Sequence, residues 1–472
     1  MIKLALPAGD LRAPVAELLS QAGLRIEGYG EGSRSYRLTV PGQDGVSARV
    51  FREKDIPIQV ALGNYDLGIA GLDWLMEMQT RFPQEPLAPL ADMGIGGRRI
   101  VAAGAATSLR RLEDIGSFPR VRIASEYPNI AEAFARAARL RAYRVQAVWG
   151  AAEAYPPEDA DLVVVAAPAG QAAPDNALQP LFSLLDSSAW LIGNAVSLAG
   201  KDLSPVLRPL IGGVKGNARD ASLRMPPPIL CVRSTGPRAR KSDALRMAVP
   251  DGHQQRHAAE ALAAAGLRFD GYDASSFTRR PVSQIGGLEV KVIRPHDMPQ
   301  LVATGEMDIA ITGRDCLNEH LYSFPSSPAC ELLDLRRGQY NLSAVVSEEL
   351  PASTMSEALE VWRSQGRTSL RLAAEFPATA DHYARSRHFW RYQVIPISGA
   401  SEGFVPEDAD MLIEGTETGR TIAENKLKVI DLLYRSTTCL IGRKGADLRG
   451  RRQRTFDEVV AALRRSADAA SD

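Results

Sequence analysis

Short apolar runs alternate along this chain with longer stretches whose apolar positions are spaced for one face of a helix. Leu4-Ala-Leu, Val121-Arg-Ile-Ala, Leu162-Val-Val-Val, Met247-Ala-Val, Arg371-Leu-Ala and Met411-Leu-Ile read as short buried strands. About Ala13 to Gln21, Ile130 to Arg141 and Gln255 to Ala264 read as helices. Apolar strands alternating with helices predict α/β layers with mixed, mostly parallel sheets, because a strand covered on both faces shows no polar alternation. Val101-Ala-Ala-Gly and Leu342-Ser-Ala-Val-Val predict a crossing into a second lobe, and strands at Leu191 and Leu440 predict the return, with a cleft between the lobes.

The pattern is written twice. Pro7-Ala-Gly-Asp with Ala22-Gly-Leu returns as Pro250-Asp-Gly-His with Ala265-Gly-Leu. Asp55-Ile-Pro and Asp66-Leu-Gly-Ile-Ala-Gly-Leu-Asp73 return as Asp297-Met-Pro and Asp308-Ile-Ala-Ile-Thr-Gly-Arg-Asp315. Ala124-Ser-Glu-Tyr-Pro returns as Ala373-Ala-Glu-Phe-Pro, Pro157-Glu-Asp-Ala-Asp as Pro406-Glu-Asp-Ala-Asp, and Leu191-Ile-Gly as Leu440-Ile-Gly. The offset stays between about 242 and 249 residues, which marks duplication of a whole domain. The expected division is a first half at 1–223, a linker at 224–243 and a second half at 244–472. Met225-Pro-Pro-Pro and Ser234-Thr-Gly-Pro-Arg-Ala-Arg-Lys break the pattern at the join, and Ile229-Leu-Cys-Val232 within it is a candidate strand of the first half.

At roughly 150 residues per domain, 472 residues suggest three or four packed units. Lys and Arg number 56 against 56 Asp and Glu, so bulk charge gives no reason to expect nucleic acid as a partner. Cys231, Cys316, Cys330 and Cys439 show no metal-ligand spacing, so neither zinc nor a structural disulfide is expected. The start, Ile2-Lys-Leu-Ala-Leu, meets Pro7 too soon for a secretory signal, and no run reaches membrane-spanning length. A cytoplasmic protein with no membrane partner is expected.

Candidate chemistry concentrates after the run Met411-Leu-Ile, where Thr421 opens a helix-forming stretch and the loop 414–421 packs acids, hydroxyls, a glycine and an arginine. Thr418, Gly419, Arg420 and Thr421 suit a phosphate held by amides, hydroxyls and one fixed charge at a helix N-terminus. Carboxylates repel a bare phosphate. A sugar phosphate removes the conflict, since Glu414 or Glu417 can accept hydrogen bonds from ribose hydroxyls. An ordinary capped turn is the plainer reading of the loop by itself.

With these motifs in order, each half resembles the catalytic domain of the ATP phosphoribosyltransferase family, which opens histidine biosynthesis. In the second half the resemblance rests on Pro250-Asp-Gly, Asp297-Met-Pro, Asp308 to Asp315, Glu375-Phe-Pro, Gly399-Ala-Ser-Glu402, the loop 414–421 with Asn425, and Tyr434-Arg-Ser-Thr-Thr-Cys-Leu-Ile-Gly. It implies two tandem two-lobed, periplasmic-binding-protein-like (type II) α/β domains. It also implies ATP and phosphoribosyl pyrophosphate as substrates, condensed to N1-phosphoribosyl-ATP and pyrophosphate. Mg²⁺ would arrive on the phosphoribosyl pyrophosphate, so no protein metal cluster is required. The loop Glu414 to Thr421 would hold ribose 5-phosphate, and Gly252, Arg279, Arg280, Asp315 and Glu402 are candidates for the opposite cleft wall, with Arg314 beside them. No residue is assigned a catalytic proton transfer.

Two departures matter. Asp251-Gly252-His253 stands where the family has Gly followed by Arg, and Asp10 stands there in the first half. The first half reads Val165-Ala-Ala-Pro-Ala-Gly-Gln-Ala172 at the phosphate loop, lacking acid, hydroxyl and arginine and retaining Gly170 and Asn176. Chemistry is therefore expected in the second half, with the tandem imitating the family's dimer and further homo-oligomerisation left open. The competing expectation is a non-catalytic, nucleotide- or amino-acid-binding regulatory paralogue. Only about thirty residues follow Gly442, too few for the regulatory domain that ends the family's long form.

Overall fold

In the computed structural model the apolar runs become strands buried on both faces. The described residues are 1–30, 37–43, 45–168, 170–171, 177–212, 221–230, 243–399, 403–416 and 420–469. They divide into two compact units, Met1–Pro237 with Ile397–Gly403, and Arg238–Pro396 with Phe404–Asp472.

In the first unit one sheet runs in the order Arg37–Leu38, Val46–Phe51, Ile2–Pro7, Leu67–Gly71, Ala189–Asn194, Leu87–Asp92. A second runs Leu178–Ser187, Arg98–Ala105, Leu162–Pro168, Val121–Ser125, Tyr143–Ala147. The second unit joins the same succession into one sheet: Leu288–Ile293, Leu245–Pro250, Ile309–Gly313, Leu427–Arg443, Ala329–Ser347, Met411–Thr416, Leu370–Ala374, Tyr392–Pro396. Its two crossing strands are unbroken, 19 residues at Ala329–Ser347 and 17 at Leu427–Arg443. The counterparts in the first unit are each interrupted, between Asp92 and Arg98 and between Ser187 and Ala189.

Registers agree across the duplication. Val101 faces Val165 as Ser343 faces Glu414, and Ile123 faces Leu162 as Leu372 faces Met411. The sheets are mixed, with a larger antiparallel share than the apolar runs suggest. Parallel ladders join the strands within a lobe, such as Ile2–Pro7 with Val46–Phe51, while the crossing strands run antiparallel to their neighbours because they carry the chain out and back. Each lobe of the second unit has its own core. One is built on Leu245, Met247, Leu262, Ile309 and Leu440, the other on Leu342, Leu372, Tyr383, Met411 and Ile413.

The repeated Pro-Glu-Asp-Ala-Asp motif is structural. Its last residue, Asp161, accepts the Arg122 backbone N–H at 3.0 Å and its guanidinium at 2.8 Å, and Asp410 accepts those of Arg371 at 2.8 and 3.2 Å. Each aspartate thereby caps a strand start that would otherwise leave a buried donor unmade. Two expected boundaries move. The helix near Ile130 runs Pro128–Ala137, stopped before Arg139 at φ 53°. Ile229 and Leu230 lie in no strand; Ile229 is buried and donates its N–H to the Ala138 carbonyl at 2.9 Å, while Cys231 and Val232 lie outside the described residues. Among the described residues no helix is long and apolar enough to cross a membrane.

Candidate functional site

The strand Met411–Thr416 leads from the core toward the loop 414–421. Met411, Leu412 and Ile413 are buried, paired in parallel with Leu370–Ala374 and antiparallel with Ala329–Ser347. Glu414 is half-buried at the point where the apolar run ends, and Gly415 is exposed. Glu417, Thr418 and Gly419 lie outside the described residues, as does Glu402. Arg420 is the first residue of helix Arg420–Glu424, where Thr421 is exposed and buried Ile422 anchors the turn. Asn425 closes it by donating its side-chain amide to the Thr421 carbonyl at 2.9 Å. Five residues make little macrodipole, so an anion here would rely on individual amides and side chains rather than on a helix field.

The opposite lobe supplies a cationic group built on an acid. Asp251, 2% exposed, follows strand Leu245–Pro250 and accepts Arg279 Nη1 at 2.7 Å and Arg294 Nη1 at 3.2 Å. Gly252 sits at φ +68°, a conformation glycine adopts freely, and a Cβ there would stand 3.7 Å from Arg294 Nη1. Two guanidiniums thus meet on one buried carboxylate beside Gly252, close to where the sequence lacks the expected arginine. Arg280, next to Arg279 in the chain, is exposed. Arg294 carries no sequence signal for this role, because it is 43 residues from Asp251 and only the fold brings the two together.

Asp315 is buried and held by Ser436. Its N–H donates to Ser436 Oγ at 3.1 Å, and Ser436 Oγ donates back to Oδ1 at 2.8 Å. Arg314 is engaged by Glu331 at 2.8 Å and Asp334 at 3.0 Å. Tyr340, which no motif of the sequence marked, links Asp315 to the strand Met411–Thr416. Burial and the neighbouring Asp315 carboxylate push its phenol well up, and its ring lies where a Cβ on Gly415 would come within 2.7 Å. Gly415 is therefore fixed by close approach.

The first unit keeps the frame and changes the wiring. Strand Leu162–Pro168 ends in exposed Pro168, and Gly170 stands at φ +81° with no heavy atom within 4 Å of a built Cβ. Asp73, the counterpart of Asp315, pairs with Ser187 Oγ at 2.6 Å, Tyr127 Oη at 2.7 Å and Arg98 Nη2 at 2.8 Å. Glu53 closes the group by binding Arg98 and accepting the Gly71 N–H at 2.8 Å. Burial works against the Arg98 charge, but Asp73 and Glu53 outweigh it and hold the guanidinium protonated. An ionic cluster thus surrounds Asp73, whereas Asp315 has Ser436 and Tyr340 beside it.

A family model described as ATP phosphoribosyltransferase matches residues 52–212 and 294–465, together well over half of the chain, and its second segment contains the Glu414 loop. An ATP phosphoribosyltransferase of Rubrobacter xylanophilus is 32% identical over 204 residues, 43% of this chain and 88% of that protein. That of Moorella thermoacetica is 32% identical over 202 residues, 42% of this chain and 85% of the relative. Of solved structures, an ATP phosphoribosyl transferase complex from Thermotoga maritima aligns with 48% of this chain and 99% of its own at 19% identity and a TM-score of 0.38, too low to add to the fold described above.

Proposed function

Since the chain belongs to the ATP phosphoribosyltransferase family, enzymes of the glycosyltransferase class, we propose that its second half condenses ATP with phosphoribosyl pyrophosphate. The products are N1-phosphoribosyl-ATP and pyrophosphate, in the cytoplasm and in the service of histidine biosynthesis. The observation that carries this reading is the unequal pair of loops on strands of equal register: Ser343 opposite Glu414 leads into a full set of ribose-phosphate groups, while Val101 opposite Val165 leads into none.

Glu414 or Glu417 receives the ribose hydroxyls. Thr418, Gly419, Arg420 and Thr421 hold the 5′-phosphate. Displacing pyrophosphate from ribose C1 needs two polyanions positioned and the charge on the departing group met. Arg279 and Arg294, held on Asp251 beside Gly252, place two guanidiniums on the facing lobe for that task. Mg²⁺ enters as part of the substrate, coordinated by its phosphates and waters. The first half, with its plain loop, holds no ribose phosphate.

Incubation of the full chain with ATP, phosphoribosyl pyrophosphate and Mg²⁺, following formation of the adduct, tests the proposal. A chain that binds both substrates and yields no adduct would instead be a regulatory paralogue.

A further inference from the structure

The N-terminus of helix Pro377–Ser386 lies at the edge of the second lobe where strands Leu370–Ala374, Met411–Thr416 and Tyr392–Pro396, parallel to one another, deliver their C-terminal ends. Free amides at such a position are a natural anion site. Here they are already taken. Glu319, on helix Arg314–Ser323, accepts the Ala378 N–H on one carboxylate oxygen at 2.8 Å and the Thr379 N–H on the other at 2.8 Å, and Thr379 Oγ1 adds a third bond at 2.9 Å. One turn on, Tyr322 stacks on His382 with ring centroids 4.1 Å apart.

The helix that carries Glu319 follows strand Ile309–Gly313 of the other lobe and is fixed at its beginning by Asp315 on Ser436 and by Arg314 on Glu331 and Asp334. It spans from the first-lobe wall to the second. We propose that Glu319 is a positioning residue, a clasp that sets the separation of the two walls that must hold phosphoribosyl pyrophosphate and its reaction partner together. This rests on the function proposed above. The carboxylate also keeps the Ala378 and Thr379 amides from competing with the loop 414–421 for phosphate.

The first half contains its own control. Glu77 accepts the Asn129 and Ile130 N–H groups at 2.9 Å each, the same bond pattern in a unit whose loop lacks the ribose-phosphate groups. A purely structural cap would behave alike in both halves.

Glu319→Ala, Glu319→Gln and Glu77→Ala in the full chain separate the possibilities. Glu319→Ala is expected to lower kcat/KM by on the order of tenfold to a hundredfold through lost alignment. Glu77→Ala should keep parental kcat/KM at a similar loss of melting temperature, and Glu319→Gln, retaining one acceptor oxygen, should recover part of the activity. Equal effects of the two alanine variants, or parental kcat/KM in Glu319→Ala, would overturn the clasp. Amide exchange of helix 377–386 in the ligand-free chain supplies an answer independent of turnover: Glu319→Ala should speed exchange at Ala378 and Thr379, and unchanged rates there refute the proposal. If the parent forms no adduct, the enzymatic reading fails, while the exchange result still decides whether Glu319 fastens the lobes.

Discussion

The two halves share strand order and register yet differ at the place where a ligand would lie. Around Asp315 the second half sets a serine and a tyrosine; around Asp73 the first half sets Ser187, Tyr127, Arg98 and Glu53. The crossing strands pass uninterrupted through the second half and break in the first. Duplication therefore preserved what packs the sheet and released the partners of Asp73 and Asp315. An arginine closed on two acids neutralises charge within the first half, whereas a phenol beside Asp315 brings no charge of its own.

The comparison breaks most visibly at the paired glycines. Gly419→Val is expected to abolish phosphoribosyl pyrophosphate binding in a calorimetric titration by denying the phosphate its close approach. Gly170→Val, at φ +81°, should cost only local strain of about 1 to 2 kcal/mol in stability and spare binding. Loss of binding from Gly170→Val would mean that the wrong half has been assigned.

The next largest difference is in the cluster. Arg98→Met leaves Asp73 and Glu53 buried together without their cation, a loss of about 3 to 5 kcal/mol in chemical denaturation. Tyr340→Phe at the corresponding position removes only a hydroxyl, about 1 kcal/mol. Similar losses would erase the distinction between an ionic and a neutral filling.

Glu414→Gln keeps size and an acceptor oxygen but removes the charge that orients ribose. It should lower kcat/KM by roughly ten- to more than a hundredfold, about 1.5 to 3 kcal/mol, while phosphate affinity stays near parental. A parental kcat/KM would shift the ribose role to Glu417.

The smallest effect sharpens the first half alone. Burial outweighs the two amides on Glu77 and pushes its carboxyl from 4.5 up to about 6. The native state therefore holds this proton more tightly than the unfolded chain, so Glu77 adds stability as pH falls through about 6 toward 4.5, by up to about 2 kcal/mol, and the gain is lost as pH rises again. Urea midpoints at pH 5 and 7.5 should show a smaller acid-side gain in Glu77→Gln than in the parent; identical pH slopes would rule the contribution out.

Much of this was legible in the chain. Apolar runs too short for buried helices gave the strands, and the constant offset gave the duplication, because packing against a sheet imposes a local period that side chains must obey. The loop 414–421 announced itself by residue type. Asp315 was less transparent: its sequence is compatible with a ligand or a cap, and only the structure shows that Ser436, 121 residues away, both accepts its N–H and donates to its carboxylate.

By itself the sequence determined the fold class and the twofold writing of the domain, and it set the loop 414–421 apart from its first-half counterpart by residue type, since each is encoded in neighbouring residues or in repetition at a near-constant offset. The tertiary structure alone decided that Arg279 and Arg294 meet on Asp251, that Tyr340 lies against Gly415, and that Glu319 fastens Ala378 and Thr379. Charged and aromatic side chains have no obligatory local period, so their partners across 28, 43 or 59 residues become known only once the sheet has brought distant strand ends together.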